Sequence, residues 1–108
     1  MPPLIEAIRQ KFAVEQFEFS KHATDQLIVR RIQVQEIREA IVNGQIIEDY
    51  PNDKYGPSCL ISGLTQNCRP IHIQCSYPSR ALIKIITVYE PDSDQWNDDF
   101  TQRNSRDD

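Results

Sequence analysis

Two histidines, His22 and His72, are the side chains of this 108-residue chain that ordinarily exchange a proton near neutral pH. His22 opens a series of polar residues four apart, His22, Gln26 and Arg30, within "FSKHATDQLIVRRI". On a helix that spacing sets an imidazole, an amide and a guanidinium on one slowly drifting face. An imidazole moves protons, and a guanidinium is a permanent fork-shaped donor to phosphate oxygens. Metal-free cleavage of RNA needs such groups: a base for the ribose 2'-OH, an acid for the leaving 5' oxygen and cations for the crowded phosphorane. Polar residues at this spacing also line any exposed helix, so spacing alone leaves surface and site both open.

The elements that must position these residues fall into a helical half and a strand half. In "PPLIEAIRQKF", Leu4, Ile5, Ile8 and Phe12 recur at helical spacing, and "FEF" alternates like a brief strand. Ser20 supplies an N-cap oxygen for a helix running to about Arg31, with Ala23, Leu27 and Ile28 as its apolar face. In "VQEIREAIVNG", Ile37, Ala40 and Ile41 share a face, and Gly44 suits a left-handed C-terminal cap. From Gln45 onward the residue types become β-branched and aromatic: "QIIEDY", "SCLISG", "PIHIQCS" and "ALIKIITVYE". Their connections are short, which suits an antiparallel meander. The expected fold class is α+β, one domain over residues 1–108, with N-terminal helices packed on one face of an antiparallel sheet of about four strands.

Strand parity then sorts the second half of the candidate residues. Ile71, Ile73 and Cys75 face one way, and His72, Gln74 and Ser76 the other, away from the helix-packed core. Lys84 marks the polar phase of the last strand. If "YPSR" turns so that Ser76 pairs with Leu82, Gln74 lies opposite Lys84 and His72 opposite Ile86, bringing Lys84 near His72. A slip of one residue separates them.

Composition narrows the class. With 39% hydrophobic and 26% charged residues the chain has the makings of one compact core. No run approaches the roughly 18 apolar residues of a membrane helix, and the start lacks a secretory pattern, so the expectation is a cytoplasmic protein with no membrane partner. Cys59, Cys68 and Cys75 are odd in number and lack zinc-ligand spacing, so they read as small buried hydrophobes on strands, and neither metal nor cofactor is expected. The net charge of −4 is unevenly spread: residues 90–108 carry −5, and residues 1–89 carry +1. The acidity belongs to a tail, which either solvates the end, shields a basic groove or meets a partner.

In order and spacing, "FSKHATDQLIVRRI", "IREAIVNGQIIEDYPNDKYGPSCLISG", "RPIHIQCSY" and "IITVYEPDSDQW" resemble the bacterial family called domain of unknown function 4258, over about residues 18–100. The resemblance implies a RelE-like fold and kinship with ribonuclease toxins of the RelE and BrnT type, encoded beside a protein antitoxin. His22 and Arg30 match the family's "HA…R" element, Tyr50 and Pro51 its "YP", and His72 its "PxH" strand. Thr87, Tyr89, Pro91 and Trp96 match its "ITxYxPxxxxW" ending. The chain departs where the family more often has a glycine near Arg31 and a serine cap near Gln33.

The expected function is thus a metal-independent endoribonuclease toxin acting on RNA, including ribosome-associated messenger RNA, and neutralised by an antitoxin. His22 is the leading general base or acid and His72 the second proton carrier. Arg30 and Lys84 stabilise phosphate charge, and Tyr89 stacks the nucleotide. Tyr50 reads as a core-edge aromatic, and Trp96 as the residue packing the tail on the body. The alternative is a non-catalytic interaction module, or an inactive toxin relative, binding a protein through its sheet or acidic tail.

Overall fold

The computed structural model describes residues 3–104. Arg106, Asp107 and Asp108 of the acidic tail lie outside the described residues. Three helices, α1 (Leu4–Ala13), α2 (Lys21–Arg30) and α3 (Val34–Asn43), cover one face of a five-stranded sheet. The strands are β1 (Phe17–Phe19), β2 (Gln45–Tyr50), β3 (Ser58–Leu64), β4 (Pro70–Ser76) and β5 (Ile83–Tyr89), ordered β1-β5-β4-β3-β2.

The α+β class is as expected, but the sheet is mixed and has five strands rather than four. Three residues, Phe17 to Phe19, form β1 and pair in parallel with Ile83 to Ile85. No turn signal announces this pairing, because its partner lies at the far end of the chain. The remaining neighbours, β2 to β5, are the expected antiparallel meander.

One face of the sheet and the apolar faces of the helices make a single core. Ile61, Ile71, Ile73, Ile83, Ile85 and Val88 meet Ile8, Phe12, Ala23, Ile37, Ala40 and Ile41 there. At about 25 cal/mol per Å² of apolar surface removed from water, this burial is the main term holding the helices down. Cys59 and Cys75 sit opposite each other inside it, whereas Cys68 is exposed in the β3–β4 turn at φ 63°, not on a strand.

Glycine makes the closest approach possible. A Cβ on Gly63 would stand 1.9 Å from the Ala40 carbonyl oxygen, and one on Gly44 2.5 Å from the same atom. Gly44 is therefore required by contact and not by a left-handed cap, since its φ is −78°. The left-handed residue is Arg31, at φ 54°, where α2 ends. Glycine is the residue that adopts this conformation without a Cβ penalty, and here an arginine does so.

α2 itself is fastened to the margin of β5 beyond the short β1. The Ser20 hydroxyl oxygen accepts the Ala23 N–H at 3.0 Å and donates to the Ile86 carbonyl at 3.1 Å. Further along, Gln26 Oε1 accepts the Val88 N–H at 2.9 Å. Gln26 thus satisfies a strand donor that β1 is too short to reach, an amide role dictated by the fold.

Candidate functional site

The outer face of the sheet, opposite the helices, carries the second histidine. His72 does face away from the helical core, yet it is 0% exposed, because residues 91–104 fold back across it. The Trp96 ring stands edge-on to the imidazole with centroids 4.4 Å apart. His72 Nε2 lies 2.7 Å from the Phe100 carbonyl oxygen, and Nδ1 lies 3.1 Å from the Tyr89 hydroxyl. A carbonyl oxygen only accepts, so Nε2 carries the proton and Nδ1 accepts from Tyr89. Burial pulls the imidazole below its usual pKa, opposed by the Phe100 carbonyl and the Glu48 carboxylate. His72 is a neutral acceptor at pH 7, while burial holds the Tyr89 phenol above its usual value and therefore protonated.

Tyr89 opens from this pair into a cleft of about 460 Å³ lined by Arg30, Glu90, Asp92, Gln95 and Arg103 as well. Arg30, the last residue of α2, is exposed, and its guanidinium has no hydrogen bond or ion pair among the described residues. Its position is held by the backbone: Arg69 donates to the Arg30 and Arg31 carbonyls at 3.1 Å each, capping the helix end. Arg69 also pairs with Glu36 at 3.0 Å and Glu90 at 2.7 Å. Arg103 pairs through two nitrogens with Glu48, at 2.8 and 3.2 Å, and its guanidinium lies 4.6 Å from the Trp96 ring centre. Burial alone would raise the Glu48 carboxyl; Arg103 and the Tyr50 hydroxyl outweigh it, so Glu48 stays below the usual range. Burial and the Glu48 carboxylate push Tyr50 up to about 12.

The cleft brings together Arg30 and Tyr89, with His72 behind Tyr89. It does not include His22 or Lys84. His22 is exposed on the first turn of α2, eight residues and about 12 Å of helix rise from Arg30. With His72 enclosed, one phosphate cannot touch both imidazoles. Lys84 is separated by register. The pairing is His72 with Tyr89 and Gln74 with Thr87, and a bulge between Gln74 and Cys75 then matches Cys75 to Ile85. The expected pairings of Gln74 with Lys84 and of His72 with Ile86 are thus corrected. Lys84 donates its N–H to the Ser76 hydroxyl at 2.9 Å, four residues and about 13 Å along β4 from His72.

Sequence reading missed Arg103, which belongs to a segment taken as an acidic tail. It also missed Arg69, whose partners are scattered along the chain. Trp96 does pack that segment onto the body, at 3% exposure.

The helices lie on one face of a mixed sheet and His72 on the other, with the cleft at the Tyr89 end of β5, in a small α+β domain. Residues 19–90 match the profile of the domain of unknown function DUF4258, and the chain belongs to that family. No curated protein and no solved structure matches it. Among the described residues, no helix is long and apolar enough to cross a membrane, and no three His, Cys, Asp or Glu side chains converge as metal ligands.

Proposed function

We propose that this protein is a cytoplasmic endoribonuclease toxin of a toxin–antitoxin pair, with a RelE-like relationship as the resemblance implies. The observation that carries the reading is the Tyr89 hydroxyl donated to a neutral, enclosed His72 at the edge of a cleft holding the unpaired Arg30. With its proton turned toward His72, the Tyr89 oxygen presents lone pairs to the cleft. The ribose 2' oxygen attacks phosphorus while its proton passes to the Tyr89 oxygen and the Tyr89 proton passes to His72 Nδ1. The bond from phosphorus to the 5' oxygen breaks, and that oxygen takes a proton from water. Arg30, and Arg103 beside it, offset the phosphorane charge. A 2',3'-cyclic phosphate and a 5'-hydroxyl remain, and His72 returns its proton to solvent through Tyr89.

Helical spacing puts His22 and Arg30 on equal terms, but the geometry separates them. On expression in a bacterial host, Arg30→Ala is expected to relieve growth arrest, and His22→Ala to retain it. Both residues are exposed, so both variants should accumulate as folded protein. Full arrest by soluble Arg30→Ala would remove Arg30 from the site.

One observation favours the non-catalytic interaction module. Ile28 and Val29 on α2 are 73% and 80% exposed, an apolar pair that a protein partner would cover. A stable protein complex, with no RNA cleavage by the freed domain, would support that reading.

A further inference from the structure

The match to the family ends at Glu90, and the segment that encloses His72 begins just after it. Residues 91–104 are braced internally. Asn97 donates its N–H to the Gln102 carbonyl at 2.9 Å, Asn97 Oδ1 accepts the Thr101 N–H at 2.9 Å, and Trp96 pairs with Arg103 across a single β-bridge. The segment meets the sheet at three places. Phe100 offers its carbonyl to His72 Nε2 and, at 3.2 Å, to the Ser62 hydroxyl; Trp96 covers the imidazole; Arg103 grips Glu48 of β2. Phe100 and Trp96 are thus joined to β2 through one ion pair.

We propose that residues 91–104 form a positioning strap, latched by Arg103 on Glu48, whose seating keeps the His72 Nε2 proton on the Phe100 carbonyl and so reserves Nδ1 for Tyr89. Seated, the strap excludes water from the imidazole and leaves Tyr89 as the one outlet of the pair. Released, it gives water access to both ring nitrogens, and Tyr89 loses its dedicated acceptor. Phe100 and Trp96 act through His72 and Tyr89, so they are positioning residues.

The groups facing His72 are Tyr89 from β5, Ser62 from β3, Glu48 with its partner Tyr50 from β2, and Trp96 and Arg103 from the strap. Glu48 titrates below the usual carboxylate range, while Tyr50 and Tyr89 titrate above the usual phenol value. Of these groups only the His72 imidazole ordinarily titrates near neutral pH, and burial holds it below its usual value.

The test is NMR of the full chain with 15N-labelled histidine, following exchange of the His72 Nε2 proton with water. In the native protein that proton is expected to be observable and protected. Arg103→Gln and Arg103→Lys should each speed its exchange by up to about fivefold, the factor a partly exposed pair is worth. The lysine variant separates latch from charge, because it keeps the positive charge and loses the fork. Arg80→Gln, a charge loss at an exposed residue outside the strap, should leave exchange unchanged. Arg103 is itself exposed and outside the core, so both latch variants should fold. Native-like protection in the glutamine and lysine variants would overturn the strap, as would a native His72 carrying its proton on Nδ1. The inference concerns the pair used in the proposed reaction, but the readout needs no RNA. Loss of cleavage and loss of the latch are therefore separable results.

Discussion

Tyr89→Phe is expected to lower RNA cleavage by about 10²- to 10⁴-fold, the range that a positioned proton-transfer group supplies. The substitution removes one oxygen and keeps the ring that stands edge-on to His72 at 5.2 Å. It leaves Nδ1 without a donor, a buried acceptor lost at about 1–3 kcal/mol, so the variant folds but is less stable. Single-turnover rates on a short RNA, with thermal unfolding in parallel, check both halves. A cleavage rate equal to the native one would mean that the phenol carries no proton.

The same pair fixes the pH dependence. His72 accepts only when neutral, so activity should hold at neutral pH and fall on the acid side, through an imidazole pKa held below the usual 6.5. The stability change has the same sign. Above 6.5 the imidazole is neutral in both folded and unfolded chains. As the pH drops below 6.5 the unfolded chain binds the proton first, and stability is lost until the depressed folded value is passed.

Gly63→Ala should be the most damaging small substitution in the fold. Its new Cβ would overlap the Ala40 carbonyl oxygen at 1.9 Å; the carbon is fixed to Cα and the oxygen belongs to backbone, so neither can rotate away. Relief requires α3 to lift from β3, opening the core around Ile37 and Ile41. The expected loss is about 3 kcal/mol or more, at the upper end for overpacked cores. Urea unfolding of Gly63→Ala beside Gly56→Ala tests this. A Cβ at Gly56 meets nothing within 4 Å, although its φ of 111° strains any side chain there. Equal losses at the two positions would show that helix–strand contact is not the cause.

The helices were legible because Ile8, Phe12, Ile37 and Ile41 recur at their true period and Ser20 caps where a serine should. The outward phase of His72 was legible from alternation alone. Its burial was not, because the cover comes from a segment whose charge reads as solvated tail while Trp96 and Phe100 do the covering. Register escaped for another reason: a bulge in β5 and a longer β4–β5 connection displace Lys84 without any change in residue type. Gln26 shows the reverse error. Its place in the polar stripe suggests chemistry, but it serves the Val88 amide beside a strand that ends too soon. The resemblance picked out Arg30 and Tyr89, which share the cleft, together with His22, which does not.

In the proposed reaction a protein pair, Tyr89 on His72, drives attack by the ribose 2' oxygen. The ends left on RNA by the purified full chain in excess EDTA report on that attack most directly. The expected ends are 2',3'-cyclic phosphate and 5'-hydroxyl, formed by native protein and lost in Tyr89→Phe. RNA left intact by native protein, or cut to 5'-phosphate ends, would contradict the proposed reaction.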